Sequence, residues 1–171
     1  LPLHGEHQAD NLVLAIAAVE AFVGGGLDRL DVDLVRAAVA GMDSPGLMEV
    51  VRRSPTVIVD AAHNPAGAQA VAQTIDEAFH FTRLVGVLSV LTDKDAEGVL
   101  GALEPVLSDV FVTRTTSPRA MDPEDLAVVA RDVTCRFPGC AVPASACDLD
   151  HVIAHPVGAT CSCNLCALCR H

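Results

Sequence analysis

The sequence predicts a layered α/β fold with a small cysteine-rich segment appended, and three observations carry that prediction. Short, nearly continuous apolar runs alternate with helical stretches through the first 130 residues, which is the pattern of parallel strands joined by helices. Hydrophobic residues make up 51% of the chain but aromatics only 3%, so the core is built from Val, Leu, Ile and Ala. All seven cysteines fall between Cys135 and Cys169, after a cysteine-free stretch that reaches Ala130. So abrupt a change marks a boundary near Ala130–Asp132.

The elements follow in order. His4 to Val23 passes from polar to Ala/Val/Leu-rich with helical spacing, and Gly24-Gly25-Gly26 stops it. This triplet is a helix stop and not a phosphate loop, because no strand precedes it and no G-K-[ST] follows. A second helix fits Asp31 to Ala40, with Asp31 as cap and Gly41 as stop. Three β-rich runs come next: Thr56–Ala61, Leu84–Leu91 and Val110–Thr115. Their near-continuous apolarity predicts strands buried on both faces. Helices are expected at about 65–80, 95–107 and 122–130.

Charge separates the two parts. Residues 1–130 hold 8 Arg or Lys against 19 Asp or Glu, a balance of -11, whereas residues 131–171 hold 3 against 3. The first part is therefore too acidic to bind a polyanion over a broad face. No apolar run reaches the ~18 residues that span a bilayer, and no signal peptide opens the chain. Leu1 is not an initiator Met, so a fragment or processed product is expected. An odd number of closely paired cysteines favours metal binding in a reducing compartment, hence the cytoplasm.

The stretch VIVDAAHNPAG (57–67) is the most informative for function. Ligands of open α/β sheets sit beyond the carboxyl ends of the strands, which is where Asp60, His63 and Asn64 fall. A carboxylate there can accept both hydroxyls of a ribose, and a His can lie against a base or phosphate. Alternatively, Asp60 and Asn64 cap the next helix, which Pro65 opens. Both readings stand at this point. His4 and His7 lack ligand partners at metal spacing, and His80 reads as structural.

HGEHQADN (4–11), PGLMEVV (45–51), DAAHNP (60–65), the DKD at 93–95 and SPRA (117–120) occur in that order. Together they resemble the carboxyl-terminal portion of folylpolyglutamate synthase/dihydrofolate synthase, of the Mur ligase family. The resemblance covers about residues 1–130 and implies a Rossmann-like Mur ligase carboxyl-terminal domain. It also implies an activity: with ATP and Mg²⁺ the family makes an acyl phosphate on folate or pteroate, which the amino group of glutamate attacks to form an amide. By the match, Asn11 contacts adenine, Asp60 the ribose hydroxyls, and His63 the nucleotide nearby.

Two departures bear on that expectation. Where the family carries an Arg that reaches the ATP phosphates, this chain has Leu47, which can neither neutralise nor hydrogen-bond phosphate. No G-x-x-x-x-G-K-[ST] occurs in the 171 residues, so the phosphate cradle is missing. The family places that loop on an amino-terminal domain expected before Leu1. The closing strands of the carboxyl-terminal domain are likewise expected but absent beyond Ala130. The implied division is the end of the central domain and linker at 1–41, a truncated carboxyl-terminal ligase domain at 42–130, and the cysteine-rich segment at 131–171.

In that segment, Cys135-x4-Cys140 and the distant Cys169 present thiolates of the kind tetrahedral zinc takes as close pairs. Some forty residues without an aliphatic core call for such a staple. RDVTCRFPGC…CDLDHVIAHPVGATCSCNLCALCRH resembles an HNH endonuclease module, the kind found in repeat proteins of mobile elements. The resemblance implies His151 as general base, Asn164 as the residue orienting it, Asp150 as a ligand of a divalent catalytic metal, and Cys135, Cys140 and Cys169 as structural zinc ligands. The family's later His-His pair has no counterpart here. Cys161, Cys163, Cys166 or His171 is left to supply the fourth zinc ligand. A neutral segment offers little attraction for DNA, the partner of this second reading. A gene rearrangement running into a mobile element would produce such a join. The expected function is that of a ligase by ancestry, inactive alone, with a metal-dependent DNA endonuclease as the alternative.

Overall fold

A computed structural model of the chain describes residues 1–132 and 134–170, without the side chain of Ser145. It contains two compact units. The first comprises Leu1–Ala62 and Ala70–His80, and the second His63–Gln69 with the chain from Phe81 onward.

In the first unit, α1 (Glu6–Gly24) ends where Gly25 turns left-handed at φ 61°, the conformation glycine adopts without a steric penalty. Gly5, at φ 95°, allows the close entry to this helix: a Cβ there would lie 2.5 Å from the Thr74 hydroxyl. Helix α2 (Val32–Ala40) is capped by Asp31, whose carboxylate accepts the N–H groups of Asp33 and Leu34. Strand β1 (Glu49–Arg53) pairs antiparallel with β2 (Thr56–Val59) through a bulge between Val50 and Arg52. The sequence reading had no strand at β1, because its charged residues Glu49, Arg52 and Arg53 mask the apolar pair Val50-Val51. Met48 and Thr74, each 2% exposed, lie in the interior of this unit. Helix α3 (Pro65–Ala78) gives its first residues to the second unit and the rest to the first.

In the second unit, β3 (Val85–Leu88) and β4 (Asp109–Val112) pair in parallel, Val85 opposite Asp109. Gly86 permits Leu107 to approach, since a Cβ there would lie 2.8 Å from its Cδ1. Helix α4 (Ala96–Leu103) begins at Asp95, which accepts the Gly98 N–H, and runs on into a 3₁₀ turn at Glu104–Val106. Val90 and Ala96 meet Leu126 and Val129 of α5 (Pro123–Asp132) in one core.

The opposite side of α5 builds a second core. Val128, fully buried, packs with Ala144, Leu165 and Ala167. Ala144 opens a 3₁₀ turn, Ala144–Ala146, and the other two lie on β6 (Leu165–Leu168), which pairs antiparallel with β5 (Asp148–His151). The expectation that residues 131–171 lack an aliphatic core is thus corrected: α5 supplies the missing large residue from before the composition break. The expectation of doubly buried strands is corrected too. Val59, Val87 and Phe111 are 44%, 68% and 59% exposed, because the described residues form three two-stranded sheets, each with open faces. Among the described residues no helix is long and apolar enough to cross a membrane.

Candidate functional site

The end of β2 is built around the Asp60 carboxylate. Its Oδ1 accepts the N–H of Ala62 at 2.7 Å, closing a local turn, and its Oδ2 accepts that of Met48 at 2.8 Å. The second bond ties the strand end to the turn that precedes β1. Met48 itself is left-handed, at φ 49°. Asp60 therefore caps no helix; Asn64 does, with its Oδ1 accepting the Gly67 N–H at 2.8 Å. The helix-cap alternative holds for one of the two residues. A carboxylate has about four acceptor positions, so two backbone donors leave Asp60 capacity for hydroxyl groups. Asn11 is exposed on α1 and His63 is exposed just before α3. Among the described residues no hydrogen bond joins Asn11 to Asp60.

Leu47 is 38% exposed in the turn held by its N–H to Ser44 O at 3.1 Å. A cleft of ≈ 510 Å³ in the same unit is lined by His4, Ser44, Leu47, Met48, Arg53 and Phe79. Arg53, on β1, is the cation that this cleft offers.

In the second unit the chain brings together two stretches that the sequence reading treated separately. Asp93 pairs with Arg119 at 2.6 Å and with Lys94 at 3.3 Å, and the Thr92 N–H donates to Arg119 O at 2.8 Å. The Arg119 hydrogen bond, helped by Lys94, holds the Asp93 carboxyl below its ordinary range. The Lys94 side chain, 32% exposed, is thus partnered.

The cysteine-rich segment gathers Cys135, Cys140 and Cys169, whose sulfurs lie within 4.8 Å of one another. Sγ–Sγ separations are 3.5 Å from Cys135 to Cys169 and 3.4 Å from Cys140 to Cys169. Zinc–sulfur bonds of ~2.3 Å in a tetrahedron set sulfurs about 3.8 Å apart, so a small outward movement admits the ion. The N–H groups of Cys169 and Phe137 point at the Cys135 sulfur and hold its pKa at about 7. Burial, together with hydrogen bonds to Cys135 and Cys140, pushes Cys169 up to about 12. Cys135 therefore gives up its proton more readily than Cys169, from which a metal ion would have to displace it.

Of the residues considered for a fourth ligand, Cys161 and Cys163 form a disulfide with each other and offer no thiolate. Cys166 donates to Asp150 O at 3.5 Å, away from the cluster. His171 lies outside the described residues. Cys147, which the sequence reading passed over, lies outside the compact group of three; burial, and then Cys135 and Cys140, raise its pKa.

Asn164 is 7% exposed and accepts the Ile153 N–H at 2.8 Å, while its Nδ2 donates to Ile153 O and Ala159 O, each at 2.9 Å. Its carbonyl accepts the Val152 N–H at 2.8 Å. Asn164 thus fixes the loop that follows His151 and makes no bond to the His151 ring. That ring bonds Thr160 Oγ1 at 2.9 Å through Nε2 and lies 5.9 Å from the His155 ring, centroid to centroid. Asp150 Oδ1 accepts the His151 N–H at 2.8 Å. Among the described residues, the only Cys/His/carboxylate cluster compact enough for a metal is the three-cysteine one, so Asp150 stands apart from any such group.

Comparison with known proteins identifies one family. Residues 48–154 match the Mur ligase, glutamate ligase domain. The chain is 62% identical over 131 residues to a dihydrofolate synthase/folylpolyglutamate synthase of Mycobacterium tuberculosis, covering 76% of this chain and 27% of that protein. The solved M. tuberculosis folylpolyglutamate synthase complexed with ADP superposes with a TM-score of 0.72 at 61% identity, over 76% of this chain and 28% of that one. A further match, 55% identical over 40 residues, is to an uncharacterized M. tuberculosis protein and covers 23% of this chain and 8% of that protein. The chain therefore spans about a quarter of the length of the ligases it matches. Since the glutamate ligase domain accounts for more than half of its residues, the chain belongs to the Mur ligase family.

Proposed function

We propose that residues 1–130 are the carboxyl-terminal part of an ATP-dependent folylpolyglutamate synthase/dihydrofolate synthase, and that these 171 residues alone form no glutamyl amide. The single observation that carries the reading is the 62% identity over 131 residues to the M. tuberculosis enzyme. In this reading residues 1–41 close the central domain and linker, and residues 42–130 form the glutamate ligase domain. Asn11 meets adenine, Asp60 the ribose hydroxyls and His63 the nucleotide. The backbone donors of Met48 and Ala62 preorient Asp60 for that role. ATP with Mg²⁺ supplies the phosphoryl group that activates folate or pteroate towards glutamate; the side chains that would cradle those phosphates are not among these residues. A coupled assay for ADP release with pteroate or folate and glutamate tests this. No turnover is expected from the polypeptide alone, and turnover without any other chain would overturn the reading.

For residues 131–171 we infer a segment of separate origin that holds one zinc ion through Cys135, Cys140 and Cys169. The abrupt change in cysteine content and charge near Ala130–Asp132 supports separate origin, and the sulfur spacing supports the metal. Thiolates at a metal suit a reducing compartment, for which the cytoplasm is the proposal. The HNH reading has one observation in its favour: Asn164 clamps the loop beside His151, as the orienting residue of such a module would. His151 would then be the general base and Asp150 a ligand of the catalytic metal. Cleavage is expected to be absent or very slow. Robust plasmid nicking with Mg²⁺ or Mn²⁺ that disappears in His151→Ala would make the endonuclease reading the correct one.

A further inference from the structure

Strand register points to a fourth zinc ligand. The β5/β6 ladder pairs Asp148 with Leu168, Leu149 with Ala167, Asp150 with Cys166 and His151 with Leu165. The ladder ends at Asp148 and Leu168; extended by one step in the same register, it would set Cys147 opposite Cys169. Side chains alternate between the faces of a strand, so Cys147 shares a face with Leu149, and Cys169 shares one with Ala167. Both of those partners belong to the core under α5. Residues opposed across an antiparallel pair have Cβ atoms about 4.5–5.5 Å apart. Cys147 closes the 3₁₀ turn and leads into β5 with extended backbone, at φ -95° and ψ 157°.

The same alternation rejects Cys166, whose position on β6 falls between those of Leu165 and Ala167 and directs it to the other face. The segment that carries Cys147 is also tied to the one that carries Cys135. Thr134 bridges Pro143, and the Cys135 N–H donates to Val142 O at 2.8 Å. The Cys147 thiol at present donates to Pro143 O at 3.3 Å, a bond that turning about χ1 would exchange for the metal. We propose that Cys147 is the fourth ligand, so that Zn²⁺ is held by four thiolates, Cys135, Cys140, Cys147 and Cys169. On binding, each remaining thiol proton passes to solvent and the sulfur lone pair to the metal; no redox change occurs. The proposal rests on the zinc reading of the segment made above, and the test separates the two.

The full chain, purified under reducing conditions, is loaded with zinc or with cobalt(II). Zinc is counted by mass spectrometry and the thiolate-to-cobalt charge-transfer band is recorded for wild type, Cys147→Ser, Cys166→Ser and His171→Ala. Wild type is expected to hold one metal per chain. Cys147→Ser should weaken zinc by about 100-fold or more, beyond the ~10–100-fold loss typical of an outer-shell partner. It should also lower the charge-transfer intensity by about a quarter, one thiolate of four. Cys166→Ser and His171→Ala should change neither. Alkylation of the zinc-loaded wild type supplies a readout that needs no variant: Cys166 is modified and Cys147 protected. Full zinc affinity in Cys147→Ser, or modification of Cys147 in the loaded protein, overturns the proposal and leaves the zinc reading intact. Reduced wild type that takes up no zinc overturns both.

Discussion

The carboxylate of Asp132, at the end of α5, accepts the backbone N–H of Ala167 at 3.0 Å, thirty-five residues further along. Arg131 beside it pairs with that carboxylate and donates to the carbonyls of Ser162 and Leu165, each at 2.6 Å. These two adjacent residues, at the point where composition changes, fasten the last strand to the helix. The Asp132 side chain is only 1% exposed, so the buried donor it satisfies is left without an acceptor when it is removed. Asp132→Ala should cost about 1–3 kcal/mol, the penalty of a buried unsatisfied donor. Urea unfolding and hydrogen exchange at the Ala167 amide check this, and unchanged protection there would contradict it.

Acid should act through the same group. Burial alone would raise the Asp132 carboxyl, but Arg131 and the Ala167 N–H outweigh it and hold it below the ordinary range. A carboxyl depressed on folding stabilises fully above its unfolded value of about 3.9 and loses that contribution as pH falls through the lower folded value. The segment should therefore loosen only below about pH 4. In Asp132→Asn this part of the acid dependence should vanish, as read from unfolding free energies measured across acid pH.

Helix α5 faces two cores, so truncating either side should report on both. Leu126→Ala should cost about 2–5 kcal/mol and Val128→Ala roughly 2 kcal/mol. Each should shift one shared unfolding transition. A Val128→Ala protein in which β5 and β6 melt early while β3 and β4 keep their midpoint would show that the cores are independent.

Reduction makes a further test. The Cys161–Cys163 bridge lies outside the thiolate cluster, so opening it with a non-chelating phosphine should release two titratable thiols without releasing zinc. Loss of zinc on opening the bridge would contradict this and make the bridge a support of the metal site.

Much of this architecture was legible in the sequence, and the reasons are local. Asp31 as cap and Gly25 as stop announce α1 and α2 because capping is a matter of a few adjacent residues. The β3–α4–β4–α5 succession follows from apolar periodicity. Strand β1 escaped because Glu49, Arg52 and Arg53 hide its two valines. The second core escaped because it joins Val128 to Leu165 and Ala167 across the composition break, and no local pattern predicts such a contact. The three cysteines that cluster were readable from residue type and spacing, whereas the D-x-A-H-N-P stretch drew its proposed role from resemblance. The donors to Asp60 were not, since Met48 reaches it through a β-hairpin with a bulge. Cys147 was missed for a similar reason: its alignment with Cys169 depends on strand register, which spacing along the chain does not encode.

The central proposal is that this chain holds too little of a ligase nucleotide site to grip ATP, and above all nothing that grips its phosphates. Calorimetric titration of the 171-residue polypeptide with ATP and with adenosine tests it most directly. The account predicts no detectable binding of either up to low millimolar concentration, and no advantage of ATP over adenosine, because Leu47 offers phosphate no partner and the G-K-[ST] loop is not among these residues. ATP binding far more tightly than adenosine, with Leu47→Arg bringing no further gain, would contradict it.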